Sequence, residues 1–240
     1  MLIHKLLRVF LPFFVSFLLI SCGGNEGSSA QNVALQIPAQ KQLAIAPVYQ
    51  QTPLWCWAAT LEMIYRYYGI ASVNPNFQCG ILAMTFGPSS ICYSNCGACV
   101  VGGGTVSNVA NNLTLYSDRV SFYTGIFTRK ITSKLLFSHL DETALKSEIA
   151  LGRPILAGIS PSGFPLPDIS QHAVLLVGYR DTPSDLMVIV NDPYPYLSDP
   201  SQPNPYLFSG GKLLFTGQYE ISYRNFVGGL RWGNTIYGIQ

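Results

Sequence analysis

Four of the six cysteines in this chain fall between residues 79 and 99, at the spacing Cys-x12-Cys-x3-Cys-x2-Cys. Cys79, Cys92, Cys96 and Cys99 allow three disulfide pairings. Outside the cytoplasm, two disulfides are the expected state of such a set. A zinc shell is the rival reading, because four thiolates suit zinc. It is the weaker one, since Cys79 lacks a Cys-x2-Cys partner on its own side. Residues 70–104 thus read as a loop-rich segment carrying a cross-linked insert at 79–99. It ends in Gly102-Gly103-Gly104. That glycine run is no phosphate loop: no Gly-Lys-Ser/Thr follows it and no strand leads into it.

The N-terminus points to the same oxidising compartment. Lys5 and Arg8 precede the apolar run Val9–Ile20, which Pro12 interrupts and which is short for a membrane span. Leu19-Ile20-Ser21-Cys22 resembles a bacterial lipobox. The resemblance implies cleavage before Cys22 and a lipid on its sulfur. A Gly rather than an Asp after Cys22 resembles outer-membrane sorting signals. Gly23 to Ser29 then reads as a flexible tether. The expected division is a signal peptide over 1–21, a tether over 22–40 and one domain over 41–240. About 200 residues suffice for a single core. The tether is too short for an inhibitory prodomain, so activity without autocleavage is expected. Net charge is +2, charged residues are 11%, and no Arg/Lys cluster occurs. Nucleic acid is therefore not an expected partner, and membrane contact is expected only through the N-terminal lipid.

Helical spacing of Trp57, Leu61, Ile64 and Tyr68 predicts a helix that Gly69 stops. A second helix is expected near Thr105–Leu113, and a third from Asp141 to Leu151, N-capped by Asp141 and ended by Gly152. Strands are expected at Ile155–Ile159, Ala173–Tyr179 and Leu186–Val190, the last two as an antiparallel hairpin. Residues 160–170, rich in proline, form a loop. The tail, Leu213–Tyr223 and Trp232–Ile239, reads as strand. Helices first and strands later give an α+β class.

Cys56 stands where the first helix begins. Unsatisfied N–H groups and the positive end of the helix dipole stabilise a thiolate there, and the thiolate is the nucleophilic form. Of the three histidines, His4 lies in the signal segment and His139 reads as a solvated loop residue. His172, at the mouth of an apolar strand, is the candidate base. Asn191 and Asp192 end the next strand. Successive strand residues face opposite ways, so one of them should reach the imidazole. Asp192 is chosen because a carboxylate stabilises imidazolium, which leaves Asn191 for the turn. Gln50, six residues before Cys56, can supply one oxyanion donor beside the Cys56 backbone N–H. Gln51 is the alternative.

In order, Gln50…Cys56-Trp57-Ala58, Gly152-Arg153-Pro154-Ile155, His172 to Tyr179 and Asp192-Pro193 resemble the bacterial papain-like cysteine peptidases (clan CA). The nearest patterns are the double-glycine leader peptidases and the papain-like effector proteases. The resemblance spans about residue 45 to the C-terminus. It implies a helical part carrying Cys56 packed on a twisted antiparallel sheet carrying His172 and Asp192, with the cleft between them. It implies hydrolysis of peptide or protein through a thioester, with Cys56 as nucleophile, His172 as base and acid, Asp192 as its orienter and Gln50 in the oxyanion hole. No cofactor and no catalytic metal are implied. The insert at 79–99 departs from the core pattern and is expected to shape the cleft or dock a partner. Residues 161–167 and Trp55 are expected to line the cleft. Other readings of the same residues are an amidase, a transglutaminase-like acyl transferase and a non-catalytic binding lipoprotein.

Overall fold

The apolar spacing that starts at Trp57 forms α1 (Cys56–Tyr67) in a computed structural model that describes residues 36–199 and 201–240. All nine residues from Trp57 to Tyr65 are buried, and Gly69 (φ +71) follows the helix end with the positive φ that glycine tolerates. The signal segment 1–21, Cys22 and the tether up to residue 35 lie outside the described residues.

One antiparallel sheet forms the second layer. Its strands are β1 (Gln40–Gln42), β2 (Lys134–Leu136), β3 (Ile155–Ile159), β4 (His172–Asp181), β5 (Leu186–Asn191), β6 (Lys212–Phe215), β7 (Gln218–Ser222) and β8 (Asn234–Tyr237). The order is β2-β8-β3-β4-β5-β7-β6, with β1 also on β4. β4 is the spine. Its first half pairs β3, from Ile159↔His172 to Ile155↔Leu176, and its second half pairs β1. β1 crosses so closely that a Cβ at Gly178 would stand 2.9 Å from the Lys41 carbonyl oxygen. β4 and β5 form the expected hairpin, with a register shift between Leu176 and Gly178. β3 is buried throughout, as expected of a strand covered on both faces.

The helical layer differs from expectation at three places. Residues 70–104 hold α2 (Phe77–Phe86), the short α3 (Ile91–Ser94) and a 3₁₀ turn at Cys96–Ala98. Eight consecutive residues of α2, Phe77 to Met84, are buried. A helix buried all round has no polar face and so no 3.6-residue signature. α4 (Val106–Thr124) runs well past Leu113 and stops at Gly125 in the left-handed region. Its asparagines and serines dilute the pattern, but Val109, Leu113, Tyr116 and Val120 hold one buried face. In the tail, α7 (Tyr223–Gly228) fills the gap between the two expected strand segments, with the Ser222 side chain accepting from the Asn225 backbone N–H. α5 (Glu142–Ala150) and its Asp141 cap are as expected, with the Asp141 carboxylate accepting from Ala144 N–H at 2.8 Å. The short α6 (Pro205–Phe208) completes the set.

The architecture is α+β, with α1 packed on β4. The Thr60 hydroxyl lies between two carbonyls, 2.7 Å from Cys56 O in its own helix and 3.2 Å from Ala173 O in β4. Among the described residues no helix is long and apolar enough to cross a membrane.

Candidate active site

Cys56 is the first residue of α1 and the only free cysteine among the described residues. Helix geometry leaves the leading N–H groups unpaired. The backbone amides of Trp57 and of Ala173 in β4 act on the sulfur and favour its thiolate. Burial alone raises the thiol. A hydrogen bond to His172, the imidazolium charge and these two amides more than reverse that, so the thiol sits below its ordinary value.

His172 opens β4, opposite Ile159. Its Nε2 is 2.7 Å from Asp192 Oδ1, which leaves Nδ1 for Cys56. Burial pushes the imidazole down. The Asp192 charge and hydrogen bond, then Cys56, outweigh it and hold His172 at about 10. The Asp192 side chain is fully buried and follows β5 directly. Its Oδ1 also accepts the Tyr194 backbone N–H at 2.7 Å. The turn therefore belongs to Asp192, which corrects the division expected from sequence. Asn191 is instead locked in the sheet: it donates to Ile45 O at 2.8 Å and accepts from the Gln218 amide at 2.7 Å. The two neighbours face opposite ways, as strand alternation requires. His139 is exposed, beside the rings of Tyr223 and Trp232.

The two glutamines have different partners. Gln51 is exposed and exchanges hydrogen bonds with Asn76, at 3.0 and 2.6 Å. Gln50 is 8% exposed. Its amide donates to Thr52 O at 2.9 Å, which leaves one Nε2 proton free, and its backbone N–H bonds Pro193 O. Gln78 of α2 clamps this segment by donating to Tyr49 O at 2.8 Å and accepting from Gln51 N–H at 3.1 Å.

The insert closes with disulfides Cys79–Cys96 and Cys92–Cys99. All four thiols are spent in them, so they do not form the thiolate shell of the zinc reading. Trp55 is buried, and its Nε1–H donates to Cys99 O at 3.0 Å. It anchors the insert to the start of α1 and does not line the cleft, contrary to expectation. Trp57 does line it. A Cβ at Gly103 would meet the Trp57 ring at 2.7 Å, so Gly103 lies close on the indole, and Gly102–Gly104 form one wall. Beside Cys56 is a pocket of about 180 Å³ between Trp57, Gly102–Gly104, Ser170 and Asn234. Beyond His172 a wider groove of about 640 Å³ runs past Pro161, Tyr194, Tyr196 and Phe208. Pro161 thus borders the groove as expected, whereas Pro165 packs against Gly233. Ser170 and Asn234 escaped sequence reading because nothing marks a polar side chain as facing a cleft. The triple glycine carried a signal, namely close backbone approach.

A family model described as "Peptidase_C39 like family" matches residues 34–225. The chain belongs to this family. Membership makes it a cysteine-type peptidase, and the Peptidase_C39-like chain carries its free cysteine at the head of α1, facing the sheet. Among solved structures, digestive procathepsin L2 proteinase from Tenebrio molitor larval midgut is similar at 14% identity over 86% of this chain and 70% of that one, with a TM-score of 0.49. Digestive procathepsin L 3 from the same larval midgut is similar at 15% identity over 84% and 70%, with a TM-score of 0.48. No curated protein matches the chain.

Proposed function

We propose that this peptidase is a lipid-anchored envelope enzyme that cleaves peptide bonds through a thioester on Cys56. The observation that carries the reading is the continuous line Cys56–His172–Asp192, with Nε2 of His172 committed to Asp192 and its other nitrogen facing the sulfur. The resting site is a thiolate–imidazolium pair. The thiolate attacks the carbonyl carbon, and the oxyanion forms beside the Cys56 backbone N–H and the free Nε2 proton of Gln50. His172 gives its proton to the amine as the C–N bond breaks. A water then attacks the thioester, His172 takes its proton, and the acid leaves with the thiolate restored. Because His172 protonates the amine, the leaving half of the substrate lies toward the wide groove beyond His172, and the acyl half beside the small pocket.

The lipobox resemblance at Cys22 supports anchoring, and the two disulfides fit an oxidising compartment. Palmitate labelling that disappears in Cys22→Ala is the expected result for the anchor. For the chemistry, the test is the alkylation rate of Cys56 against pH, read by mass spectrometry on non-reduced protein. Fast labelling at pH 6 that is lost in His172→Ala is expected. A rate that rises only near the free-thiol value of about 8.5 would overturn the peptidase assignment of these residues.

A further inference from the structure

Asp192 has a second oxygen. Oδ1 is fully used, by His172 and by the Tyr194 N–H. Oδ2 is buried and has no partner at ordinary hydrogen-bond length. A buried carboxylate oxygen without a donor is costly, more so than a neutral one. The Tyr206 hydroxyl is in the same condition: fully buried and without a partner at that length. These two orphans are neighbours: the Asp192 carboxylate acts on the Tyr206 phenol and helps to hold it raised, behind the larger effect of burial.

The surroundings hold Tyr206 in this place. Asn204 caps α6 and accepts from Tyr206 N–H at 3.1 Å. The Tyr206 ring stacks on Tyr219 at 4.2 Å and 4°. The other titratable groups that face Asp192 are His172 from β4, Tyr196 and Tyr194 from the segment after β5, and Tyr219 from β7. Tyr194 sends its hydroxyl away to Asp199 at 2.7 Å, and the Tyr219 hydroxyl, which accepts from the Asn204 amide at 3.1 Å, feels the charge of Asp192 without bonding to it. Tyr196 feels the charge of Asp192 without bonding to it. Tyr206 is left as the donor placed for Oδ2.

We propose that Tyr206 is a positioning residue of this site, closing its hydroxyl onto Asp192 Oδ2 so that the carboxylate is held and its charge shared while His172 carries the proton. The proposal rests on the Cys56–His172–Asp192 reading above. With the phenol in place, Asp192 binds the imidazolium less tightly than a bare buried carboxylate would. His172 then remains a good enough acid to protonate the leaving amine.

The test is Tyr206→Phe, which removes one oxygen and keeps the stacked ring. Steady-state hydrolysis of a fluorogenic peptide library is compared with wild type. His172 is titrated by NMR with labelled histidine, and Cys56 alkylation is followed across pH. Wild type must first hydrolyse and show an activated thiol; failure there would sink the catalytic reading itself. With wild type active, the expected result is a kcat drop of about tenfold, as for a hydrogen bond to a charged group. KM should stay unchanged, and the His172 titration should move upward by at least half a unit. In Asp192→Asn the Tyr206→Phe effect should vanish. A folded Tyr206→Phe protein with unchanged kcat and an unmoved His172 titration would overturn the proposal. So would a kcat loss that persists undiminished in Asp192→Asn, because that is the mark of packing alone. Should Tyr206→Phe not fold, fluorotyrosine incorporation supplies the second measurement. A more acidic phenol at 206 should move the His172 titration downward, and no movement would equally overturn the proposal.

Discussion

The two sides of the site are mounted in opposite ways. His172 opens β4 and Asp192 directly follows β5 in the middle of the sheet, where ladder bonds, the Asn191–Gln218 pair and the Asp192 N–H bond to Gly217 O hold the backbone. Cys56 and Gln50 flank a loop of bends and turns that has no ladder. That loop is held against α2 and the cross-linked insert by side chains: Gln78 of α2 bonds Tyr49 and Gln51, and the loop's own Trp55 donates to Cys99 O. The proposed base is thus positioned by secondary structure, and the proposed nucleophile and its oxyanion partner by a local clamp. The difference teaches where each side is vulnerable. The sheet side should fail through electrostatics, and the loop side through loss of geometry.

The largest effect is expected on the sheet side. Asp192→Ala should lower kcat/KM by about 10²–10⁴-fold, the range for removing the orienter of a triad. It should also change the pH profile in a definite direction. Asp192 raises His172 to about 10, so the imidazolium persists until the pH rises through that value. Without Asp192 the alkaline limb should fall toward the ordinary histidine value of about 6.5. The same sign holds for stability. A histidine raised by folding contributes below its unfolded value, and the contribution is lost as the pH rises through about 10. An unmoved alkaline limb in Asp192→Ala would mean that the sheet side does not act through charge.

On the loop side, Gln50→Ala should cost about 10²–10³-fold in kcat, as for one oxyanion donor. Gln51→Ala, which removes an exposed bond to Asn76, should stay within about threefold. Parallel kinetics on the two variants sharpen the comparison, because equal losses would show that the clamp matters and the donor does not.

How much of this was legible in the sequence follows the same divide. β3, the β4–β5 hairpin, His172 and Asp192 could be read because buried strands announce themselves as short apolar runs, and alternation then separates Asn191 from Asp192. α1 could be read because Glu62 and Arg66, paired at i,i+4, mark one side of an otherwise apolar run, even though Trp57 to Tyr65 are all buried. α2 could not, since a helix buried from Phe77 to Met84 has no periodic contrast. Nor could the placement of Trp55 or of Gly102–Gly104, which depends on a disulfide pairing that four clustered cysteines leave open. Tyr206 is invisible for a further reason. It lies 14 residues after Asp192 in a segment whose prolines and asparagines read only as loop, and its meaning comes from an oxygen left over in the fold.

Removing the clamp's cross-link should act on stability more than on chemistry. Cys79→Ser with Cys96→Ser frees a 17-residue separation, worth about 3 kcal/mol by loop entropy and so about 6–12 °C in Tm for a domain of this size. Turnover at low temperature should fall only a few-fold. Scanning calorimetry beside kinetics reads both. A variant with unchanged Tm but lost turnover would mean that the insert belongs to the reaction itself.

The smallest effect lies where the two sides meet. Thr60 is the hydroxyl between Cys56 O in α1 and Ala173 O in β4, and Ala173 is the residue next to His172. Thr60→Val keeps the shape and deletes the hydroxyl, leaving Ala173 O without this donor. A single net hydrogen bond of about 0.5–1.5 kcal/mol corresponds to a factor of about 2–10. If the bond holds Cys56 and His172 in register, the loss should appear in kcat and in the pH 6 alkylation rate of Cys56, and Thr60→Ser should restore both. If it only joins two layers, Tm should fall while the alkylation rate stays at the wild-type value. The mounting of the two sides would then be independent, each held from its own half of the molecule.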